Sequence, residues 1–156
     1  MLTWRAVLMT DSASPAQICA DAALDFMQSM TRFLIAEGRE LDPAIRITPP
    51  QFRALVLLER APGMSLSELG AEMGIRTPTA SVIVVRLVQQ GLVQRSSGGG
   101  RRLALSLSAQ GKKQLNTARK HIQLRLSESL AAWPASKLQQ SAQVLQELQQ
   151  VLHGAR

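Results

Sequence analysis

The segment from Ser65 to Ser108 reads SLSELGAEMGIRTPTASVIVVRLVQQGLVQRSSGGGRRLALSLS and begins with the pattern of two short helices. Residues 65–68 form a capping box, and apolar residues at helical spacing follow it until Gly74. After a tight turn, Thr77-Pro78 combines a capping hydroxyl with a proline suited to the first helical position. A second helix is therefore predicted from there to Gly91.

Beyond the second helix the period changes from helical to two, which predicts short strands at residues 92–96 and 103–107. In the second strand, Leu103, Leu105 and Leu107 alternate with Ala104 and Ser106. The strands are separated by Gly98-Gly99-Gly100, followed by Arg101 and Arg102. Three consecutive glycines do not hold one rigid turn. We therefore expect a flexible hairpin tip with two arginines beside it.

Further helices are predicted on both sides of this segment. Ser14 caps an amphipathic helix that extends to Gly38, and Thr48 caps a helix that precedes the segment. Ser108 caps a long basic helix, and a last helix begins near Pro134. The fold is therefore predicted to be mainly α with one small β-hairpin.

The chain has 156 residues, of which 46% are apolar, so it is long enough for one domain and too short for two full ones. We expect a flexible arm at residues 1–13, dimerisation helices at 14–46 and 108–156, and a compact lobe at 48–107. The long terminal helices carry more apolar surface than a small lobe covers, which favours a homodimer. The leucines of the last helix fit either a seam with a partner helix or an internal core.

Charge is distributed unevenly along the chain. Residues 73–127 contain no aspartate or glutamate. The ten cations of this stretch are Arg76, Arg86, Arg95, Arg101, Arg102, Lys112, Lys113, Arg119, Lys120 and Arg125. Cations gathered on one surface raise the local potential and bind phosphates by releasing condensed counterions. The stretch therefore indicates a polyanionic partner, although a solvated basic surface kept for solubility accounts for the charge alone.

The sequence disfavours several other classes of protein. No apolar run reaches the roughly 18 residues of a membrane-spanning helix, and the first ten residues lack a secretory signal pattern. A single cysteine, Cys19, fits a reducing cytoplasm, and two distant histidines offer no metal-ligand spacing. Because Gly-rich phosphate loops and local nucleophile–histidine pairs are also missing, we expect no enzyme, no cofactor and no membrane partner.

Two short helices joined by the turn Gly74-Ile75-Arg76 and followed by a hairpin constitute a winged helix-turn-helix. Its second helix enters the major groove of double-stranded DNA, and its hairpin, the wing, reaches the backbone or the minor groove. The candidate DNA-binding residues are Arg76, Thr77, Pro78, Thr79, Ser81, Val82, Arg86, Arg95, Arg101 and Arg102. Hydroxyls and valine suit base edges, and the arginines suit phosphates.

The order and spacing of these motifs resemble the multiple antibiotic resistance regulator (MarR) family over roughly residues 48–115. The similar segments are LSELG at 66–70, GIRTPTAS at 74–81, LVQQGLVQR at 87–95, Arg101-Arg102 and LSAQG at 107–111. The resemblance implies a homodimer with interlocked first and last helices. Each recognition helix and wing would then contact one half of a pseudo-palindromic operator, with repression relieved by a small ligand or an oxidant.

The resemblance also implies a ligand pocket where the dimer scaffold meets the DNA-binding lobe. A small anionic or aromatic effector is the expected ligand there. The candidate effector-binding residues are Arg32, Arg39, Arg46 and Arg53, each of which is otherwise an ordinary surface arginine.

Three positions limit what the resemblance carries over. Gly100 replaces an aspartate that often orients the wing arginines, so we expect a looser wing. Val82 stands where many members have a basic or small polar residue, so base preference is expected to differ. Cys19 lies in the first helix, where some relatives have a peroxide-sensing cysteine assisted by tyrosines, but this chain has no tyrosine. We therefore expect Cys19 to be a buried structural residue.

The leading hypothesis is sequence-specific DNA binding with effector-controlled release. The alternative is a winged-helix module that binds another protein without specific DNA binding. The two differ in salt dependence, because phosphate contacts make DNA affinity fall steeply as the salt concentration rises.

Overall fold

A computed structural model describes residues 13–41, 47–98 and 102–154. Within these ranges the elements, in chain order, are α1 (Pro15–Glu40), α2 (Pro49–Arg60), α3 (Leu66–Met73), α4 (Thr77–Gln89), β1 (Val93–Gly98), β2 (Arg102–Leu107), α5 (Ala109–Leu130) and α6 (Ala135–Gly154). The predicted fold class is confirmed: the chain is mainly α-helical with one small β-hairpin. Across the described ranges, none of the helices is both long and apolar enough to span a membrane.

The chain divides into two compact units, residues 1–118 and 119–156, and the boundary falls within α5. The first unit contains the helix-turn-helix and the hairpin. The second contains the remainder of α5 and α6. These two units do not test the predicted division into an arm, dimerisation helices and a lobe, which stays a prediction.

The starts of α1, α2 and α3 are fixed by the capping boxes that the sequence predicts. The hydroxyls of Ser14, Thr48 and Ser65 accept hydrogen bonds from the backbone N–H three residues later, at 3.3, 3.4 and 3.3 Å. The side chain of that third residue accepts in return from the backbone N–H of the capping residue. Two otherwise unpaired backbone donors are satisfied at each helix start.

The predicted cap of α4 is wrong by one residue. Thr77 is the first helical residue, and Arg76, in an extended conformation, occupies the capping position without a side-chain hydrogen bond. The Arg76 carbonyl accepts from the N–H groups of Thr79 and Ala80 at 3.0 and 3.1 Å, so helical bonding begins one residue earlier than expected.

The hairpin is antiparallel, with Val93 opposite Leu107, Arg95 opposite Leu105 and Ser97 opposite Leu103. Its base is extended by the chain between α2 and α3. There, Leu105 donates its N–H to the Met64 carbonyl and accepts from the Gly63 N–H, both at 2.8 Å. An isolated β-bridge at Met64 therefore ties the hairpin to the chain between α2 and α3.

The core of the first unit lies between α2, α3, α4, the hairpin and the start of α5. Its largest fully buried side chains are Leu55, Leu58, Val84, Leu69, Leu87, Leu92, Leu105 and Leu115. Every element from α2 onward in this unit contributes to one apolar cluster. The lobe that carries the helix-turn-helix is consequently a single packed body.

The long helices leave apolar surface uncovered in the single chain. In α1, Ile18 is 60% exposed and Phe26 and Met27 are also exposed, whereas Glu37 near its end is buried. In the second unit, Val151 and Leu152 of α6 are 68% and 69% exposed.

The expectation that Cys19 is buried is wrong for the single chain. Cys19 lies in the exposed first half of α1. Helical periodicity predicted an apolar face there, but periodicity does not reveal what covers such a face.

Candidate nucleic-acid interface

The turn between α3 and α4 is held by backbone geometry that only glycine adopts readily. Gly74 ends α3 in the left-handed region, with φ 68° and ψ 30°, and its N–H donates to the Ala71 carbonyl at 3.0 Å. The next N–H, of Ile75, donates to the Gly70 carbonyl at 3.0 Å. These bonds close the helix end and direct the chain into α4.

Close packing between two small residues fixes the approach of α3 to α4. Both Gly70 and Ala80 are buried, and a Cβ on Gly70 would lie 3.5 Å from the Ala80 Cβ and only 3.2 Å from the Ile75 carbonyl oxygen. A larger side chain at position 70 has no room. The two helices of the motif are therefore held as one rigid pair.

The buried and exposed faces of α4 are sharply separated. Ala80, Val84 and Leu87 are buried against the core. On the opposite side, Val82 is 56% exposed and Arg86 is exposed. The remaining predicted contact residues of this helix start, Arg76, Thr77, Pro78 and Thr79, are exposed as well, and Ser81 is half-buried at the edge.

The wing exposes both a cationic and an apolar side chain. Arg95 is exposed on β1, and Leu103 of β2 is 57% exposed toward the tip. Arg101 and Gly100 lie outside the described residues, and of Arg102 only the backbone, as the first residue of β2, is described. The expected looseness of the tip therefore stays a prediction.

A clamp at the base of the wing joins both of its ends. Ser108 donates its hydroxyl to the Gly91 carbonyl at 2.6 Å and its N–H to the Leu92 carbonyl at 3.0 Å. The same hydroxyl accepts from the Gly111 N–H at 2.9 Å, which caps α5 as predicted. Because Gly111 packs directly on Leu92, the chain entering the wing and the chain leaving it are held together.

Cations dominate this part of the first unit. In the described ranges, Arg76, Arg86 and Arg95 are exposed and take part in no salt bridge, and Lys112 and Lys113 are exposed near the start of α5. The basic stretch is not uniform, however, since Arg125 in the second unit pairs with Glu128 at 2.6 Å. The exposed cations of the acid-free stretch in the first unit therefore lie on the helix-turn-helix, on the wing and at the start of α5.

The predicted effector-binding arginines are not assembled into one cluster by the contacts described. Arg32 and Arg39 are exposed on α1, and the Arg32 guanidinium donates to the Ser29 hydroxyl at 3.3 Å. Arg53 of α2 donates to the Glu72 carbonyl at 3.1 Å and so closes the end of α3. Arg46 lies outside the described residues.

Two long-range contacts that support this surface were not predicted. The buried amide of Gln51, at the start of α2, donates to the Gln90 side chain at the end of α4, at 3.3 Å. The Met64 to Leu105 pairing anchors the hairpin. The capping box at Thr48 predicts that Gln51 lies at a helix start, but it gives no signal that Gln51 contacts Gln90.

Comparison with known proteins agrees with this geometry. A family model described as MarR family matches residues 47–103, which contain α2, α3, α4, β1 and the first two residues of β2. The homoprotocatechuate degradative operon repressor of Escherichia coli is 29% identical over 103 residues, covering 65% of this chain and 70% of the repressor.

Solved structures share the fold over most of the chain. The structure of Rv1404 from Mycobacterium tuberculosis aligns with a TM-score of 0.76 at 20% identity, covering 90% of this chain and 95% of that one. The MarR family protein Rv2887 of the same organism, in complex with salicylic acid, aligns with a TM-score of 0.66 at 21% identity, covering 88% and 98%.

Proposed function

We propose that this chain, whose residues 47–103 match the model of the MarR family, is a transcriptional repressor of that family that binds a specific DNA operator. Helix α4 lies in the major groove, and the wing contacts the backbone or the minor groove. One observation carries the proposal: Arg76, Arg86 and Arg95 are exposed around a rigid helix-turn-helix within a stretch that has no acidic residue. Such a surface attracts the phosphates that flank a groove.

The roles of the contact residues follow from their positions. Arg76 precedes α4 and Arg86 lies in its third turn, so both border the groove and bind phosphates. The hydroxyls of Thr77, Thr79 and Ser81 lie at the helix start, where side chains reach base edges. Together with Pro78 and Val82, these residues form the base-reading part of the interface. Arg95, Arg101 and Arg102 supply the wing contacts.

Dimer formation through α1 and α6 is part of the same proposal. Each helix leaves large apolar side chains uncovered in the single chain, among them Ile18, Phe26 and Val151. Monomeric soluble proteins rarely expose extended apolar patches, and a second copy of the chain covers them. A two-fold dimer places two copies of α4 on half-sites one helical turn of DNA apart, about 34 Å.

Effector-controlled release completes the proposal. The complex of Rv2887 with salicylic acid supports a small aromatic anion as the class of ligand. Arg32, Arg39, Arg46 and Arg53 are the candidate partners of its carboxylate. Titration of the protein–DNA complex with salicylate tests this: release of DNA by salicylate, but not by uncharged benzyl alcohol, is the expected result.

The decisive experiment combines selection with a salt titration. The full-length protein is incubated with a random DNA pool, bound fragments are sequenced, and the affinity of an enriched fragment is measured between 50 and roughly 200 mM salt. A two-fold symmetric enriched site is expected. The plot of log affinity against log salt should have a slope of about −0.9 for each phosphate neutralised.

A protein-binding module remains the second candidate, because Val82, Val85 and Leu103 expose apolar side chains on the surface assigned to DNA. Exposed aliphatic side chains such as these also suit contact with another protein. The titration separates the two functions. Absence of an enriched sequence together with a flat salt response would reject the repressor and favour the protein-binding module.

A further inference from the structure

One strip along the exposed face of α4 is hydrocarbon over its first turns. Pro78, Val82 and Val85 follow one another at spacings of four and three, which places them on one side of the helix. Val82 is 56% exposed and Val85 is 39% exposed, and both lie opposite the buried Ala80 and Val84. The part of α4 that enters a groove first is thus apolar along its centre.

The polar groups in this part of α4 are limited to hydroxyls. Residues 77–85 read TPTASVIVV and contain no amide, guanidinium, amine or carboxylate side chain. Bidentate recognition of guanine needs Arg or Lys, and that of adenine needs Asn or Gln. The first turns of α4 therefore lack the side chains that read purines by paired hydrogen bonds.

The major groove contains one apolar group on its base edges, the 5-methyl group of thymine. We propose that Val82 selects one base pair in each half-site by packing its methyl groups against a thymine methyl, beside the base contacts of the hydroxyls at the start of α4. This inference rests on the proposed DNA-binding function and specifies its substrate: a half-site with an obligatory T·A pair facing the middle of α4. Arg76 and Arg86 then supply affinity, and Val82 supplies discrimination at that pair.

The structure holds Val82 ready for such a contact. The opposite face of α4 is anchored by Ala80, Val84 and Leu87 in the core. A β-branched side chain on a helix has one strongly preferred rotamer, so little side-chain freedom is lost on binding. The methyl groups are therefore presented at a fixed position before DNA arrives.

The test replaces thymine by deoxyuridine, which removes only the 5-methyl group and keeps every hydrogen-bonding group. Each invariant thymine of the enriched site is replaced in turn, symmetrically in both half-sites, and affinity is measured for the wild type and for Val82→Ala. Wild-type affinity should fall at one symmetric position by about fourfold for each methyl, or about fifteenfold for the pair. Val82→Ala should bind the two DNAs almost equally.

Arg95→Ala is the matched control, because Arg95 is also exposed and lies on the wing. It should weaken binding to the thymine and uracil sites by the same factor and leave their ratio unchanged. Val82 is exposed, so its truncation leaves the core intact, and circular dichroism verifies the fold of both variants.

Three results would overturn the inference while DNA binding itself stands: an enriched half-site without an invariant thymine, a wild type indifferent to every uracil replacement, or a Val82→Ala variant with the wild-type ratio. In those cases a steep salt dependence is retained. A protein that enriches no DNA and shows a flat salt response would refute the proposed function as well, so the two failures are distinguishable.

Discussion

Replacing Gly111 by alanine should break the clamp at the base of the wing. A Cβ at this position would lie 2.0 Å from the carbonyl oxygen of Leu92, 2.9 Å from its carbonyl carbon and 3.2 Å from its Cα. All three atoms belong to the backbone, so no side-chain rotation relieves the clash. The start of α5 must move away from Leu92 by at least 1.0 Å, the difference between 3.0 Å and 2.0 Å.

The change that Gly111→Ala causes in the free energy of unfolding follows from three contributions. Overpacking of this kind destabilises by about 1–3 kcal/mol. The shift also weakens the Ser108 bonds to Gly91, Leu92 and Gly111, each worth about 1 kcal/mol. Alanine regains about 1 kcal/mol through its higher helix propensity. The expected net loss in the free energy of unfolding is therefore about 3 kcal/mol.

Urea unfolding followed by circular dichroism measures this loss. The proteins are compared at equal protomer concentration, because the stability of the proposed dimer would depend on concentration. The control is Gly38→Ala in α1, where the new Cβ meets the Ile47 carbonyl oxygen at an ordinary 3.5 Å. This variant should gain about 0.5–1 kcal/mol. If Gly111→Ala unfolds at the same urea concentration as the wild type or Gly38→Ala, the clamp has no such role.

Other substitutions test the cap, the charges and the base-reading residues. Ser108→Ala removes the α5 cap and should lower the free energy of unfolding by about 1 kcal/mol in the same urea assay; an unchanged midpoint would contradict the capping role. Arg95→Ala should lower DNA affinity and reduce the salt slope by about 0.9 for each phosphate that the variant no longer neutralises, measured by fluorescence anisotropy. An unaltered slope would place Arg95 away from phosphate. Arg101→Ala combined with Arg102→Ala should weaken binding to most sequences alike, whereas Thr79→Ala should change the ranking of sequences in a competition assay. Wild-type affinity of the double variant at physiological salt would refute the role of the wing.

The local sequence was sufficient to predict the helix starts that depend on hydrogen bonds between residues three apart. Ser14, Thr48 and Ser65 each stand three residues before a Gln or Glu, and each pair closes a helix end by itself. The start of α4 lies one residue earlier than predicted, because the Arg76 carbonyl already accepts the first helical hydrogen bonds, from Thr79 and Ala80. A capping hydroxyl followed by proline does not by itself identify the residue at which helical bonding begins.

Contacts between residues that lie far apart in the sequence could not be predicted from local patterns. Alternation of apolar residues predicted β2, but it did not identify Met64 as a second pairing partner of Leu105, besides Arg95. Nor did the pattern reveal that Gly111 is required by the Leu92 carbonyl, since a glycine in a first helical turn has no distinctive local signal. The charge distribution predicted a basic surface, and Arg76, Arg86 and Arg95 are exposed in the structure. The pairing of Arg125 with Glu128, just beyond the acid-free stretch, needed coordinates.

The same rigidity that stabilises the lobe restricts how this protein can recognise DNA. Gly70 against Ala80 fixes α4 on α3, and Ser108 with Gly111 fixes the base of the wing, so neither α4 nor that base adapts much to a new sequence. A fixed surface that offers Val82 at its centre discriminates by fit to the groove rather than by rearrangement. Affinity must then come from charge and from a second copy of the surface, since two half-sites bound together raise the effective concentration of the second contact. Specificity and affinity are consequently assigned to different residues, and substitutions should separate them.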